Sequence, residues 1–265
     1  VDRVRKCMRG GGALVLVLLA VMEGGVASTA LVPFSNANPW SDAFSMTERA
    51  LVIGGRAVKV RQTWERRSED DLEPTGMRWT GAAVWDAAIV LSEFLAANKQ
   101  LIHRKRVLEV GAGLALVSVA AGMFGAESVT ATDYSTSVLD LAQNNMEANI
   151  PDMAVSGNAT AMPLLWGSEE AAQSLGGPFD VVVGSDVIYR EDVFKPLIET
   201  LDLTTTNDSI VILAHKPRGL SEEKFFFWLR RKFVVLQEHQ PTELHKDFVT
   251  AGVKVHVLRK KQSFE

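Results

Sequence analysis

The chain has 265 residues, 47% of them hydrophobic, and a formal net charge of −4 at pH 7. This length suffices for one sizeable α/β core with a small appendage, and the acidic balance gives no general attraction to the phosphates of nucleic acids. The single cysteine, Cys7, excludes a disulfide within the chain and a zinc site built from cysteines.

The first 45 residues do not follow the pattern of the rest. Four basic residues precede the apolar run Ala13–Met22, and the small-residue stretch "GGVASTA" follows it. This order is typical of a signal peptide, although the run is too short to span a bilayer comfortably. A targeting segment and an extension without function both remain open. We expect residues 1–45 to lie outside the catalytic fold and residues 46–265 to form one domain.

The domain begins with a predicted β-hairpin. The segment "RALVIGGRAVKVRQTW" (49–64) contains two β-rich runs around Gly54-Gly55, a typical turn pair. A charged loop, 65–76, follows. The apolar spacing of residues 85–98 then predicts a helix, with Asp86 favourable near its positive end.

From there apolar strands alternate with helices, which predicts a parallel sheet covered on both faces. The predicted strands are 106–110, 128–133, 179–186 and 209–215, and the helices lie after Gly113 and at 136–149, 190–201 and 221–232. The last two strand-like segments, 233–239 and 252–261, have no long helix between them. We therefore expect the last strand to run antiparallel.

The turn after the first of these parallel strands suits a nucleotide. Gly111 and Gly113 allow close approach of the backbone to a ligand, and Asp133, at the end of the next strand, can accept both hydroxyls of a ribose. Leu116 stands where a dinucleotide fingerprint has its third glycine. An adenosine ligand without a pyrophosphate is favoured, and a plain tight turn is the alternative.

Six separated motifs then occur in a fixed order: "VWDAAIVLSEFL", "VLEVGAG", "TDYS", "LLWG", "GSDVIYR" and "VHVLRKK". In this order the chain, from about Ala50 to its C-terminus, resembles the S-adenosylmethionine-dependent lysine methyltransferases with a D-x-x-Y motif. The resemblance implies an α/β fold with the seven-stranded, Rossmann-like class I methyltransferase sheet, mostly parallel with an antiparallel last strand.

The resemblance also implies which residues surround S-adenosylmethionine. Gly111 and its neighbours would pass along the methionine part, with Glu109 supporting the loop and Asp133 binding the ribose. Trp166 would lie against the adenine, where an indole face suits the flat ring; core packing is the alternative. The full expected set is Trp85, Glu109, Gly111, Ala112, Gly113, Asp133, Trp166 and Ser185.

The motif Asp186-Val187-Ile188-Tyr189 would line the opening where the methyl group is transferred. A lysine ammonium has a pKa of ~10.4 and must lose a proton before it can attack. Asp186 could attract the ammonium, orient the amine and accept its hydrogen bond, while Tyr189 positions it or closes the pocket. A helix N-cap is the structural alternative for Asp186.

For partners, the resemblance implies a folded protein substrate, with an AAA ATPase of the valosin-containing type as the leading candidate. We expect a monomer that acts in the cytoplasm, with no nucleic-acid, membrane or metal partner. Two positions depart from the family pattern: Ala115 replaces a glycine of the loop, and Lys216 replaces an acidic residue before Arg218.

Three other functions remain open at this stage. A methyltransferase could act on another substrate class, although one for nucleic acids or glutamine is expected to have an Asn-Pro-Pro-Tyr-like motif where this chain has "SDVIY". An oxidoreductase that uses NAD would fit the glycine turn and Asp133 but would leave the Asp186–Tyr189 motif and Trp166 unexplained. A binding module that keeps the fold without turnover could carry the changes at Ala115 and Lys216.

Overall fold

The structure is a computed structural model of the chain, and it describes residues 46–62, 80–219, 222–244 and 251–262. The signal-like segment and the whole charged loop fall outside these residues, so the division at residue 45 stays a prediction. Within the residues described, no helix is both long and apolar enough to cross a membrane.

The elements follow the predicted alternation. The strands are β1 (Glu48–Ile53), β2 (Arg56–Arg61), β3 (Arg106–Val110), β4 (Ser128–Asp133), β5 (Ala159–Pro163), β6 (Phe179–Ser185), β7 (Thr205–His215), β8 (Phe233–His239) and β9 (Lys254–Lys260). The helices are α1 (Asp86–Ala97), α2 (Leu116–Met123), α3 (Thr136–Asn149), α4 (Pro151–Val155), α5 (Glu169–Ser174), α6 (Phe194–Leu203) and α7 (Glu222–Leu229).

Seven strands form one sheet in the order β5-β4-β3-β6-β7-β9-β8. The first five of these are parallel, whereas β9 lies between β7 and β8 and pairs antiparallel with both. The predicted α/β class, the mostly parallel sheet and the antiparallel last strand are thus confirmed. Strand order reverses between β3 and β6, and ligands of open α/β sheets bind at such switch points.

Two apolar layers cover the sheet because successive strand residues point to opposite faces. On β6, Val181 and Val183 pack with the cluster under α1, α2 and α3, whereas Val182 packs with the cluster under α6 and α7. On β7, Ile212 and Leu213 divide in the same way. Both faces of the inner strands are buried, which explains their continuous apolar runs.

The predicted hairpin is present as β1 and β2, with both turn glycines at positive φ. Two asparagines of α3 fix it by hydrogen bonds to the backbone of β2. The backbone N–H of Lys59 donates to Asn149 Oδ1 at 3.0 Å, and that of Arg61 donates to Asn145 Oδ1 at 2.8 Å. In return, the side-chain amide of Asn149 donates to the carbonyl of Lys59 at 2.7 Å, and that of Asn145 donates to the carbonyl of Arg61 at 3.0 Å.

Three short elements were not predicted from the sequence. Strand β5 lies at one edge of the sheet and most of it is only half-buried, so its sequence "ATAMP" lacks an apolar run. Helices α4 and α5 have five and six residues, too few to show helical spacing. The predicted helix 190–201 is also shifted, since α6 begins at Phe194 after a short 3₁₀ turn.

Candidate active site

The carboxyl ends of β3, β4 and β6, with the segments after β5 and β7, surround a cavity of about 520 Å³, a size common for small-molecule sites. Nine of the ten residues predicted for the site line it, and they come from separate parts of the chain: Trp85, Gly111, Ala112, Gly113, Asp133, Trp166, Ser185, Asp186 and Tyr189. Glu109 alone does not.

The glycine loop is crowded at the two places where glycine was predicted to matter. Gly111 and Gly113 have φ of 62° and 51°, a region that favours glycine. A Cβ on Gly111 would lie 2.9 Å from Val187 and 3.0 Å from Trp166, and one on Gly113 would lie 2.9 Å from the carbonyl oxygen of Gly81. These glycines therefore allow the segment before α1 and the indole to approach the loop.

Ala115 shares this backbone conformation, with φ of 61° and ψ of 30° at the start of α2. Its methyl group is fully buried in the apolar cluster. The departure from glycine thus leaves a strained alanine behind the loop, and Ala115 does not line the cavity.

Asp133 ties the end of β4 to the glycine loop. Its Oδ2 accepts the N–H of Gly113 at 3.1 Å, and its Oδ1 accepts the N–H of Ser135 at 3.2 Å. The side chain is mostly buried yet lines the cavity. A carboxylate on the cavity wall can accept hydrogen bonds from the hydroxyl groups of a ligand.

Glu109 lies beneath the loop rather than on the cavity wall. It is 1% exposed, and its Oε2 accepts the N–H of Ser118 at 2.8 Å and the hydroxyl of Ser118 at 2.6 Å. It thereby satisfies one of the unpaired N–H groups in the first turn of α2. Burial raises the pKa of Glu109 to about 7. Its geometry fits support of the loop, not direct contact with a ligand.

Trp166 follows β5 and contributes both to the core and to the cavity wall. Its indole is half-buried against the apolar cluster below, and it also lines the cavity beside Gly111. Tyr134 and Leu165 stand at the same end of the cavity and remain 50% and 67% exposed. This end offers flat, apolar surfaces to a ligand ring.

Asp186 is not a helix cap, so the structural alternative for it is wrong. The next helical turn starts at Glu191, with Arg190 at its N-cap position. Asp186 instead occupies a left-handed turn, with φ of 53°, directly after β6. Its N–H donates to the carbonyl of Ala214 at 2.8 Å, which aims the side chain across the mouth of the cavity towards the segment after β7.

The carboxylate of Asp186 is nearly enclosed, with 8% of its side chain exposed. Its Oδ1 accepts the N–H of Lys216 at 3.3 Å, and its Oδ2 accepts from Arg218 Nη2 at 3.2 Å. Burial raises the pKa of Asp186, and the charges of Arg218 and Lys216 act against that rise. The Arg218 guanidinium also lies over the ring of Trp85, 5.8 Å from its centroid.

Three further residues contribute to this site although they were not predicted as site residues. Gly81 packs on Gly113, Arg218 lines the cavity, and Asp86 accepts from Lys216 Nζ at 3.5 Å. Lys216 and Arg218 stood out in the sequence, but their partners lie up to 130 residues away and no local pattern indicates them. In the part of the chain that the structure describes, no group of three or more His, Cys, Asp or Glu residues could hold a metal ion.

Comparison with known proteins is consistent with this geometry. The family profile described as lysine methyltransferase matches residues 69–232. Protein N-lysine methyltransferase METTL21A of Mus musculus is 32% identical over 215 residues, 81% of this chain and 92% of the relative; its Danio rerio counterpart is 31% identical over 218 residues, with the same coverage. EEF1A lysine methyltransferase 3 of Mus musculus is 31% identical and covers 68% of this chain and 73% of the relative.

Solved structures show the same fold at low identity. A Streptococcus mutans protein described as a S-adenosylmethionine-dependent methyltransferase superimposes with a TM-score of 0.58 at 18% identity; the match covers 81% of this chain but only 56% of that structure. The ribosomal protein L11 methylase of Lactobacillus delbrueckii subsp. bulgaricus gives 0.51 at 19% identity, with 80% and 98% covered. The chain belongs to the lysine methyltransferase family, and its methyl donor is S-adenosylmethionine.

Proposed function

We propose that the acceptor is a lysine ε-amine of a folded protein partner, and that the leading candidate partner is an AAA ATPase of the valosin-containing type. The relatives named above act on protein lysine, and one of them is named for EEF1A. The valosin-containing candidate comes from the resemblance of the chain to one member of this family, and the six motifs support the family as a whole. The negative net charge of the chain and the enclosed carboxylate of Asp186 favour a protein side chain over a nucleic acid.

The observation that carries the proposal is that nine predicted residues from separate segments line one cavity. Trp166 offers its indole to the adenine and Asp133 its carboxylate to the ribose. The glycine loop offers close backbone approach to the methionine part. With these residues assigned to the cofactor, Asp186 and Tyr189, which also line the cavity, remain for the acceptor.

Bound S-adenosylmethionine supplies a methyl group that is already activated as a sulfonium, so the protein's task is mainly to orient the amine and exclude water. Asp186 is suited to this task because its carboxylate is almost buried and is fixed by two donors. Each of its oxygens keeps a further acceptor site for an amine N–H. A raised pKa also makes it a better acceptor of the departing proton.

The test is incubation of the protein with labelled S-adenosylmethionine and a whole-cell protein extract, followed by mass spectrometry of the labelled bands. Recombinant valosin-containing AAA ATPase and recombinant EEF1A are assayed in parallel as defined acceptors. We expect label on lysine and faster transfer to the ATPase. Label on arginine, histidine or nucleic acid would refute the lysine acceptor, and label on EEF1A alone would refute the candidate partner.

Calorimetry separates the remaining alternatives. An enzyme of this kind binds S-adenosylmethionine and its demethylated product but not NAD. Binding of NAD would support an oxidoreductase, and cofactor binding without transfer to any extract protein would support a non-catalytic module.

We also propose that the protein acts as a monomer in the cytoplasm, where protein substrates and the cofactor are both available. A reporter fused to residues 1–45 should then stay in the cytosol. Secretion or organelle import of the reporter would contradict this location, and light scattering that gives twice the chain mass would contradict the monomer.

A further inference from the structure

The charged side chains of Asp186 and Arg218 line the cavity, and three more are linked to Asp186 through the backbone N–H and the ammonium of Lys216. We call these five residues the entrance cluster: Arg49, Asp86, Asp186, Lys216 and Arg218. They come from β1, the start of α1 and the segments after β6 and β7. Arg49 donates to the carbonyl of Val84 at 3.1 Å and interacts electrostatically with Asp86. Three cations against two carboxylates give the cluster an excess of one positive charge.

One further carboxylate, that of Glu222, accepts the backbone N–H of Arg218 at 2.6 Å and balances this excess. Arg190 lines the cavity but forms an ion pair with Asp192. His215 precedes Lys216, but its ring is turned into the interior, where it stacks on His256 with centroids 5.1 Å apart.

Lys216 connects both carboxylates of the entrance cluster. Its backbone N–H donates to Asp186 Oδ1 at 3.3 Å, and its ammonium lies 3.5 Å from Asp86 Oδ2. The two carboxylates are also close enough to raise each other's cost of ionisation, since Asp186 acts against the ionised form of Asp86. Without the ammonium, Asp86 would therefore be a second, poorly compensated negative charge beside the amine.

That charge matters because only the neutral amine can attack the sulfonium methyl. A nearby carboxylate stabilises the ammonium form, and a nearby cation destabilises it. The same logic activates catalytic lysines that sit beside another cationic group. In the transfer itself, the amine nitrogen forms the new N–CH₃ bond, the S–CH₃ bond breaks with its electron pair going to sulfur, and the amine proton leaves to solvent or Asp186.

We propose that Lys216 is a positioning residue for methyl transfer. Its ammonium pairs with Asp86 beside Asp186, neutralises the charge of the Asp86 carboxylate and thereby favours the neutral form of the substrate amine. This proposal rests on the proposed place of the amine at Asp186. It assigns a role to a position whose basic residue departs from the family pattern.

The experiment is the pH profile of single-turnover methyl transfer, with saturating enzyme and cofactor, to whichever protein carries the label in the extract experiment. Lys216→Gln should shift the rising limb of the profile upward by about 0.5–1 pH unit, with rates that converge at high pH. Asp86→Asn should shift it in the opposite direction. The double variant should return near the wild-type profile, since both charges are then absent. The apparent pKa of the rising limb describes the amine and Asp186 as a coupled pair.

Two controls separate this role from a structural one. Lys216→Arg keeps the charge and should keep the wild-type limb. Lys232→Gln removes the ammonium of another ion pair, with Asp202, and should shift nothing. A uniform loss of rate at all pH values in Lys216→Gln, or shifts of the same sign in Lys216→Gln and Asp86→Asn, would overturn the proposal. Full activity of Asp186→Asn would instead overturn the proposed place of the amine.

Discussion

Asp186 is an enclosed carboxylate in a left-handed turn, and its oxygens are bound by one backbone and one side-chain donor. Enclosing a carboxylate costs solvation free energy, and its charged partners offset this cost. A substrate ammonium would have to share the carboxylate with Arg218, which holds its Oδ2 at 3.2 Å. The charge of this one residue is therefore the most direct target for a test.

Asp186→Asn keeps the shape of the side chain and removes its charge. We expect unchanged cofactor affinity and a loss of turnover of ~10²-fold, the lower range for a positioned acid or base. Asp180→Asn is the matched control, since Asp180 lies near the start of the same strand and accepts the N–H of Arg106 at 2.8 Å. Tyr189→Phe should be milder than Asp186→Asn. Equal activity in the two aspartate variants, measured by labelled transfer, would contradict the role of Asp186.

Gly113→Ala tests the close approach of the segment before α1 to the glycine loop. The alanine would adopt a left-handed conformation at a cost of ~1–2 kcal/mol, and its Cβ would meet the Gly81 carbonyl. Gly157→Ala has the same kind of backbone, with φ of 75°, but open space around the new Cβ. Both variants should lose stability in urea unfolding, whereas calorimetry should show weaker cofactor binding only for Gly113→Ala. Equal affinities would show that the approach does not shape the site.

At the scale of elements, α2 depends on a buried acid from the strand before it. The pKa of Glu109 is raised by burial from its usual 4.5 to about 7. The stability that this carboxyl contributes is thus present below pH 4.5 and is lost as the pH rises through 7. Glu109→Gln removes this titration while it keeps an acceptor for Ser118. The free energy of unfolding of Glu109→Gln, relative to wild type, should therefore rise between pH 5 and pH 8 in urea titrations. A constant difference would show that the pKa of Glu109 is not raised in the fold.

Elements with strong local patterns could be predicted, and those without them could not. The inner strands, such as β6 and β7, are buried on both faces and read as apolar runs. Strand β5 is defined by its pairing with β4, which the sequence does not display. The glycine loop and Asp133 were predictable because a turn and a strand end are local features of the sequence. The contacts that join Lys216 to Asp86, and Arg218 to Asp186, arise only when distant loops meet.

At the scale of the whole molecule, the C-terminal half of the sheet packs two histidines into its interior beneath α7. His215 and His256 are 3% and 4% exposed, and Phe226 covers both, with ring centroids 5.5 and 4.4 Å away. In the described part of the chain, both nitrogens of His256 and Nδ1 of His215 make no hydrogen bond. Burial is the largest cause in each case, and it lowers the pKa of both histidines from 6.5 to about 4. Both rings are therefore neutral in the folded protein at neutral pH.

These histidines should make the fold sensitive to acid. A pKa lowered in the folded state means that the unfolded chain binds the proton first, so the stability present above pH 6.5 is lost as the pH falls towards 4. Each histidine contributes a slope of about 1.4 kcal/mol per pH unit within that window. His256→Phe keeps an aromatic ring at the same place in β9 and removes one titrating group. In urea unfolding between pH 6.5 and pH 4.5, the wild-type slope should exceed that of His256→Phe by about this amount. Parallel slopes would mean that His256 is already protonated in the fold or is reached by water, and that the acid sensitivity arises elsewhere.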